Sequence, residues 1–444
     1  TRPKPPRYLN RIIAEYEKLH PGIKIKLVPP AQIQGDYTTW LRTQIAGGQA
    51  PDIFWHHWSF VNNDLPKGTV VDLRPWMEKP NPYISSGPGS QKWIDLFTDH
   101  VIEQIRAPDG AIYQVNGDIV STNFYYNKDL FMKAGLDPEK PPKTWEEFIQ
   151  AQESLKSKGI VPTLMTVGPK DYRWSWWQRD AGTMLFVHRF EELSVDGAKY
   201  QLSQLAQAVS FKKGILHPDN PAYQEVWRIF KDWSKYWPEG FLADYDFYRD
   251  WARGEVAIMW NGSWAAPAAL NDPLISFKWG TFRMPKFTKQ TTPHATEVDP
   301  PAWGAGGPNA AFQFSVTTQR ANRTMTPEKI EAAVDFLRFL TVPWNAGPMV
   351  NDLGAFIPTI KGTKTEGPLV QVAQGIDVPS KVVAIAAELD TEQSEAYKRA
   401  LQDFLAGKVT LKEFMEKAKT LTEEAVRRVA RKNNWDLSKY GVSL

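Results

Sequence analysis

The 444-residue chain contains no cysteine. That single absence excludes disulfides, thiolate metal sites and thiol nucleophiles together. Charge of one sign is also lacking. Lys and Arg number 53 against 50 Asp and Glu, a net charge of +3, so neither nucleic acid nor an anionic membrane is indicated as a partner. Long apolar runs are missing: stretches such as 382–387 fall far short of the ~18 residues a membrane-spanning helix needs. The opening Thr1-Arg2-Pro3-Lys4-Pro5-Pro6 has no signal-peptide pattern. The expectation is therefore a cytoplasmic protein, or a mature form whose targeting segment has gone.

Catalytic signatures are scarce too. No Gly-rich loop runs into Lys-Ser/Thr, no His-Glu-x-x-His occurs, and no Gly-x-Ser-x-Gly offers a nucleophile elbow. Gly304-Ala305-Gly306-Gly307 is a fragment of a dinucleotide fingerprint, but the third glycine is missing at the required spacing and Pro308 follows. No cofactor is expected. His56 and His57 would point to opposite faces of a strand and have no His or carboxylate cluster nearby, so no metal is expected. Paired carboxylates could serve a glycosidase, but among 50 acidic residues no pair stands out from solvated surface charge.

What is present is aromatic: 19 Trp, 15 Tyr and 22 Phe. The length favours two or more lobes. Leu9, Ile12, Ile13, Tyr16 and Leu19 recur at helical spacing up to His20-Pro21-Gly22, and the alternation at 23–27 predicts a strand. A helix over 37–46 and a strand ending at Trp55 follow, an alternation that implies an α/β unit with parallel pairing. No strand precedes the first helix, which points to an incomplete N-terminus. Further on, the sequence predicts strands at 122–126 and 255–260 and helices at 225–237 and after Thr326-Pro327. Capping boxes open helices at Thr144 and Thr410. Segments 79–89 and 286–309 read as loops. Without an obvious linker, two lobes would have to be crossed more than once.

Four aromatic clusters are the candidates for function. Trp55-His56-His57-Trp58 leaves a predicted parallel strand at its carboxyl end, where ligands bind in open α/β sheets. Trp55 reads as packing there, and His57 and Trp58 as cleft residues. Trp174-Ser175-Trp176-Trp177 places three indoles where one helical face cannot hold them all. Trp260-Asn261-Gly262-Ser263-Trp264 is a strand end, a turn and a fresh aromatic; Trp303 sits in the long loop. Indoles can cover the apolar face of a sugar ring while amides and carboxylates bond its rim. The alternative for each tryptophan is ordinary core packing.

The chain resembles the extracellular solute-binding proteins of ABC transporters, in their maltodextrin- and oligosaccharide-binding branch. The resemblance rests on segments in order: Glu17-Lys18-Leu19-His20-Pro21-Gly22-Ile23-Lys24-Ile25, Ala50-Pro51-Asp52-Ile53-Phe54, Tyr126-Asn127-Lys128-Asp129-Leu130-Phe131, Pro141-Pro142-Lys143-Thr144-Trp145-Glu146-Glu147-Phe148, Gly254-Glu255-Val256-Ala257-Ile258-Met259, and Gly354-Ala355-Phe356-Ile357-Pro358. It implies an α/β, two-lobe periplasmic-binding-protein-like fold with a hinge and an interlobe ligand cleft. The lobes would comprise 1–117 with 281–335, and 118–280 with 336–444. The family's first strand would lie upstream, as would a signal sequence or lipidated cysteine. Carried over residue by residue, it implies ligand contacts at His57, Trp58, Asp118, Asn123, Asn261, Trp264, Trp303, Gly304 and Gly306. Trp176 and Trp177 join this set on chemistry alone. The function so implied is non-enzymatic: a monomeric receptor, outside the membrane, that hands an oligosaccharide to permease subunits. A carbohydrate-active hydrolase is the rival reading. So is a polyol phosphate or other small solute in place of the sugar, which Arg173 and Arg179 leave open.

Overall fold

The computed structural model describes residues 7–28, 33, 36–300, 304, 306–307, 311–370, 372–373 and 380–444. The chain forms two units, Thr1–Val120 with Gly307–Val370, and Ser121–Gly306 with Gln371–Leu444. It passes from one to the other after residues 120, 306 and 370. Expected boundaries at 117/118, 280/281 and 335/336 lie elsewhere for two physical reasons. The strand Trp279–Phe282 pairs with Thr122–Asn127, which keeps the following segment in the second unit. The helices Pro327–Leu340 and Pro343–Leu353 bury Phe336, Leu337, Leu340 and Met349 in the core of the first.

In the first unit, the strand Gln313–Val316 lies between Ile53–Trp55 and Val115–Asn116, and both pairings are antiparallel. Asp118–Ile119 pairs antiparallel with Ile357–Pro358. The parallel pairing expected from the opening alternation is corrected here: the partner of Ile53–Trp55 comes from far along the chain. The strand expected at 23–27 has no ladder partner among the described residues. Its alternation is real, since Ile23 and Ile25 pack against the core, but the N–H of Ile25 donates to Glu17. The helix Arg7–Leu19 turns Ile12, Ile13 and Tyr16 inward, and the Tyr16 hydroxyl donates to Asp335 at 2.8 Å.

In the second unit, the strand order is Val161–Leu164, Val256–Gly262, Thr122–Asn127, Trp279–Phe282. Only the first pair is parallel. The two capping boxes form as expected: Thr144 and Glu147 open Trp145–Ser157, and Thr410 and Glu413 open Leu411–Asn433. The helix expected at 225–237 runs from Pro221 to Ser234, because Asn220 caps it and Pro221 takes its first position. The core is unusually rich in indoles: Trp145, Trp174, Trp177, Trp227, Trp233 and Trp260 are all buried in one cluster.

Candidate functional site

In the second unit, the helix Arg173–Phe186 determines which tryptophans are free to act. It is buried on nearly every side, so three indoles do not need one common face. Trp174 stacks on Tyr397 with rings 5.9 Å apart. Trp177 is 0% exposed, sits among Trp145, Phe230, Trp233 and Phe287, and donates its indole N–H to the carbonyl of Val226 at 2.8 Å. The ligand role expected for Trp177 is therefore corrected to core packing.

Trp176 differs. Its ring lies edge-on to Trp264 at 6.0 Å and to Tyr172 at 5.4 Å, with Trp260 beneath at 5.4 Å. Tyr172 is 54% exposed and Trp264 half-buried. The three rings form a shelf whose outer members reach solvent. Tyr172, Ser175, Trp176 and Arg179 recur at the three- and four-residue spacing of one helix stripe, so polar and aromatic groups alternate along it. Arg179 donates to Gln201 at 3.2 Å, and the neighbouring Gln178 donates to the exposed Glu388 at 2.9 Å.

The shelf is held from below. Arg173 bonds both carboxylate oxygens of Asp171 at 3.1 Å and the carbonyl of Trp260 at 3.3 Å, and Thr166 donates to Asp171 at 2.6 Å. Burial brings the Arg173 guanidinium down to about 10, opposed by Asp171, so Arg173 stays charged at neutral pH. Trp264 folds over Gly262, where an added Cβ would fall 2.1 Å from the indole ring; only glycine fits. Strand register sets Asn123 opposite Asn261. Asn123 is buried and donates to Ser121 at 2.8 Å. Asn261 is half-buried, and its side-chain oxygen accepts from the N–H of Gly262. Gly304 is buried at φ +58°, and a Cβ there would meet Thr122 Oγ1 at 2.2 Å. Gly306 is buried too. Trp303 lies outside the described residues.

In the first unit, His57 caps the helix Trp58–Asn63 by accepting from the N–H of Ser59. Trp58 is half-buried against the core, and its N–H donates to Gln313 at 3.1 Å. Asp118 is fully buried. Its Oδ2 accepts from the N–H groups of Ala311 and Phe312 at 3.1 and 3.0 Å. Burial pushes its carboxyl up to about 7, against the pull of those two donors. Trp55, read from the sequence as packing, is 37% exposed and adjoins Tyr37, which itself stacks on Trp40 at 5.8 Å. Tyr172 is thus an exposed aromatic the sequence reading missed, and Tyr37 and Trp40 are half-buried ones beside Trp55. The helical position of Tyr172, four residues before Trp176, is the signal that could have found it. Among the described residues no group of three or more His, Asp or Glu is placed to hold a metal ion.

A model of the family of bacterial extracellular solute-binding proteins matches residues 2–345. The chain belongs to that family. It is 25% identical over 287 residues to the multiple sugar-binding protein of Streptococcus mutans, a match covering 62% of this chain and 59% of that protein. A shorter stretch of 62 residues is 42% identical to the sn-glycerol-3-phosphate-binding periplasmic protein of Brucella abortus, 14% of each chain. Among solved structures, a chitin oligosaccharide binding protein superposes with a TM-score of 0.64 at 20% identity, covering 95% of this chain and 94% of that one. That likeness establishes the α/β, two-lobe fold of such proteins. The relatives named are binding proteins, and no helix of the described residues is long and apolar enough to cross a membrane.

Proposed function

We propose that this chain is the extracytoplasmic receptor of an ABC importer and binds an oligosaccharide that its two units close upon. The observation that carries this reading is the shelf of Tyr172, Trp176 and Trp264, with the amide of Asn261 on the neighbouring strand end. The exposed Tyr172 ring and the half-buried Trp264 ring, braced by Trp176 between them, suit a ligand of more than one sugar unit, since an accessible ring can cover one apolar sugar face. The family membership and the sugar ligands named for its relatives support the same class. His57, Trp58, Asp118 and Asn123 stay in the proposed site as supports or contacts, with the segment of Trp303, Gly304 and Gly306. Closure would shift the population toward a state that permease subunits recognise. The receptor acts as a monomer at the extracellular face of the membrane or in the periplasm, takes no cofactor and does not use nucleic acid as a partner.

Titration with xylo-, arabino-, malto- and galacto-oligosaccharides, followed by tryptophan fluorescence, tests this. A saturable response to one series is expected, with the sugar recovered intact. Cleaved products would establish the hydrolase reading instead, and silence toward every series would refute the sugar class. The short match to a glycerol-phosphate-binding protein keeps a polyol phosphate as the second ligand to try.

A further inference from the structure

A second concave site lies in the second unit, and its lining shares no residue with the aromatic shelf. It is a pocket of about 410 Å³ lined by His188, Arg189, Asn220, Lys289, His294 and Thr296 over a floor of Leu185 and Phe186. Four of these side chains carry or can accept positive charge, and no carboxylate lines the pocket. Arg189 is answered by a two-point ion pair with Glu192, both contacts at 2.8 Å. Glu225, which feels the charge of His294, is bound by Arg228 at 2.6 Å. Lys289 donates to the carbonyl of Pro293 at 3.1 Å, and among the described residues no carboxylate lies within ion-pair distance of Lys289, His188 or His294. The Pro221–Ser234 helix begins at this pocket through its cap, Asn220. Asn220 Oδ1 already takes the N–H of Ala222, so the helix contributes its positive dipole end rather than a free donor. Loss of solvent, followed by Arg189 and Lys289, holds His188 below its ordinary value, with Glu192 pulling the other way.

We propose that this pocket binds a phosphate group. A dianion matches a lysine outside any ion pair, the ring N–H donors of two histidines, and a helix N-terminal dipole. The volume exceeds a bare phosphate, and the apolar floor leaves room for the carbon skeleton of an ester. The site is separate from the sugar shelf, so its occupation does not depend on which solute the receptor carries.

The test follows the Cε1–H resonances of the seven histidines by NMR, at constant ionic strength, as inorganic phosphate replaces chloride. Saturable shifts confined to His188 and His294 are expected, with the titration of His188 moved to higher pH by the bound anion. Lys289→Gln, an exposed position, should weaken the response about tenfold while leaving oligosaccharide affinity unchanged. Co-sedimentation with phosphatidylglycerol vesicles, against phosphatidylcholine vesicles, separates the two sources of the group. Retention that Lys289→Gln abolishes assigns a lipid headgroup, and a soluble response without retention assigns a free phosphate. Uniform shifts at all histidines, an unchanged response in Lys289→Gln, or no response in either arm would overturn the proposal. None of these outcomes bears on the sugar titration, so the two readings fail separately.

Discussion

Replacing Asp118 by asparagine isolates one buried ionisation in the first unit. The side chain is fully buried, and only Oδ2 is bonded, to the N–H groups of Ala311 and Phe312; Oδ1 finds no partner among the described residues. Burial raises the carboxyl from 3.8 to about 7 in the folded chain. A raised folded value means that the protein takes up a proton here on folding. The associated stability is fully present below about pH 4 and is lost as pH rises through about 7. At about 1.36 kcal/mol per pH unit, the gap between 3.8 and about 7 is worth about 4 kcal/mol, most of it lost between pH 4 and 7. The asparagine of the Asp118→Asn variant would keep an oxygen for both N–H donors and has no charge to form. Urea unfolding of both proteins at pH 5 and pH 8 reads the effect. The variant should gain on the wild type by a few kcal/mol between those two conditions. An offset equal at both pH values would show that Asp118 is already ionised in the folded state, and the desolvation argument would fail.

Trp264→Ala and Trp176→Ala should each weaken oligosaccharide binding by about 2 kcal/mol, roughly 30-fold, measured by calorimetry. Gly262→Ala should do nearly as much without touching a ligand, because its Cβ evicts the Trp264 ring. Trp177→Ala should cost about 3–5 kcal/mol of stability in chemical unfolding, while the folded fraction keeps its affinity. Asp180, buried and pushed up to about 8 against the pull of Arg179, should make Asp180→Asn stabilising relative to wild type at pH 9 but not at pH 5.

Local signals survived into the structure where the chemistry that produces them is local. The boxes at Thr144 and Thr410 and the proline start after Thr326 need only three or four consecutive residues, and each forms as read. Pairing is another matter. Whether Ile53–Trp55 runs parallel or antiparallel depends on Gln313–Val316, hundreds of residues away, and the local alternation of helix and strand carries no information about that partner. Residues 23–27 show the same gap from the other side: a buried face was legible, but the Glu17 carboxylate that takes the place of a neighbouring strand was not.

The candidate site divides along the same line. Trp176 and Trp177 are adjacent and chemically identical, and on the sequence both qualify as ligand contacts. Their fates differ because one faces Trp264 and the other faces Phe230 and Phe287, a distinction made by which helices pack on each side. Trp55 reads as core on the sequence because strand residues before a cleft are expected to be buried. Alternation gives one strand two faces, and Phe54, not Trp55, took the inner one. An excess of tryptophan therefore divides between indoles sealed in the core and indoles that reach solvent, the latter being the proposed contact surface. The residue type alone cannot separate the two uses. The neighbour that leaves a ring edge in solvent does separate them, and for Trp264 that neighbour is a glycine: Gly262, whose missing side chain is the space the indole occupies.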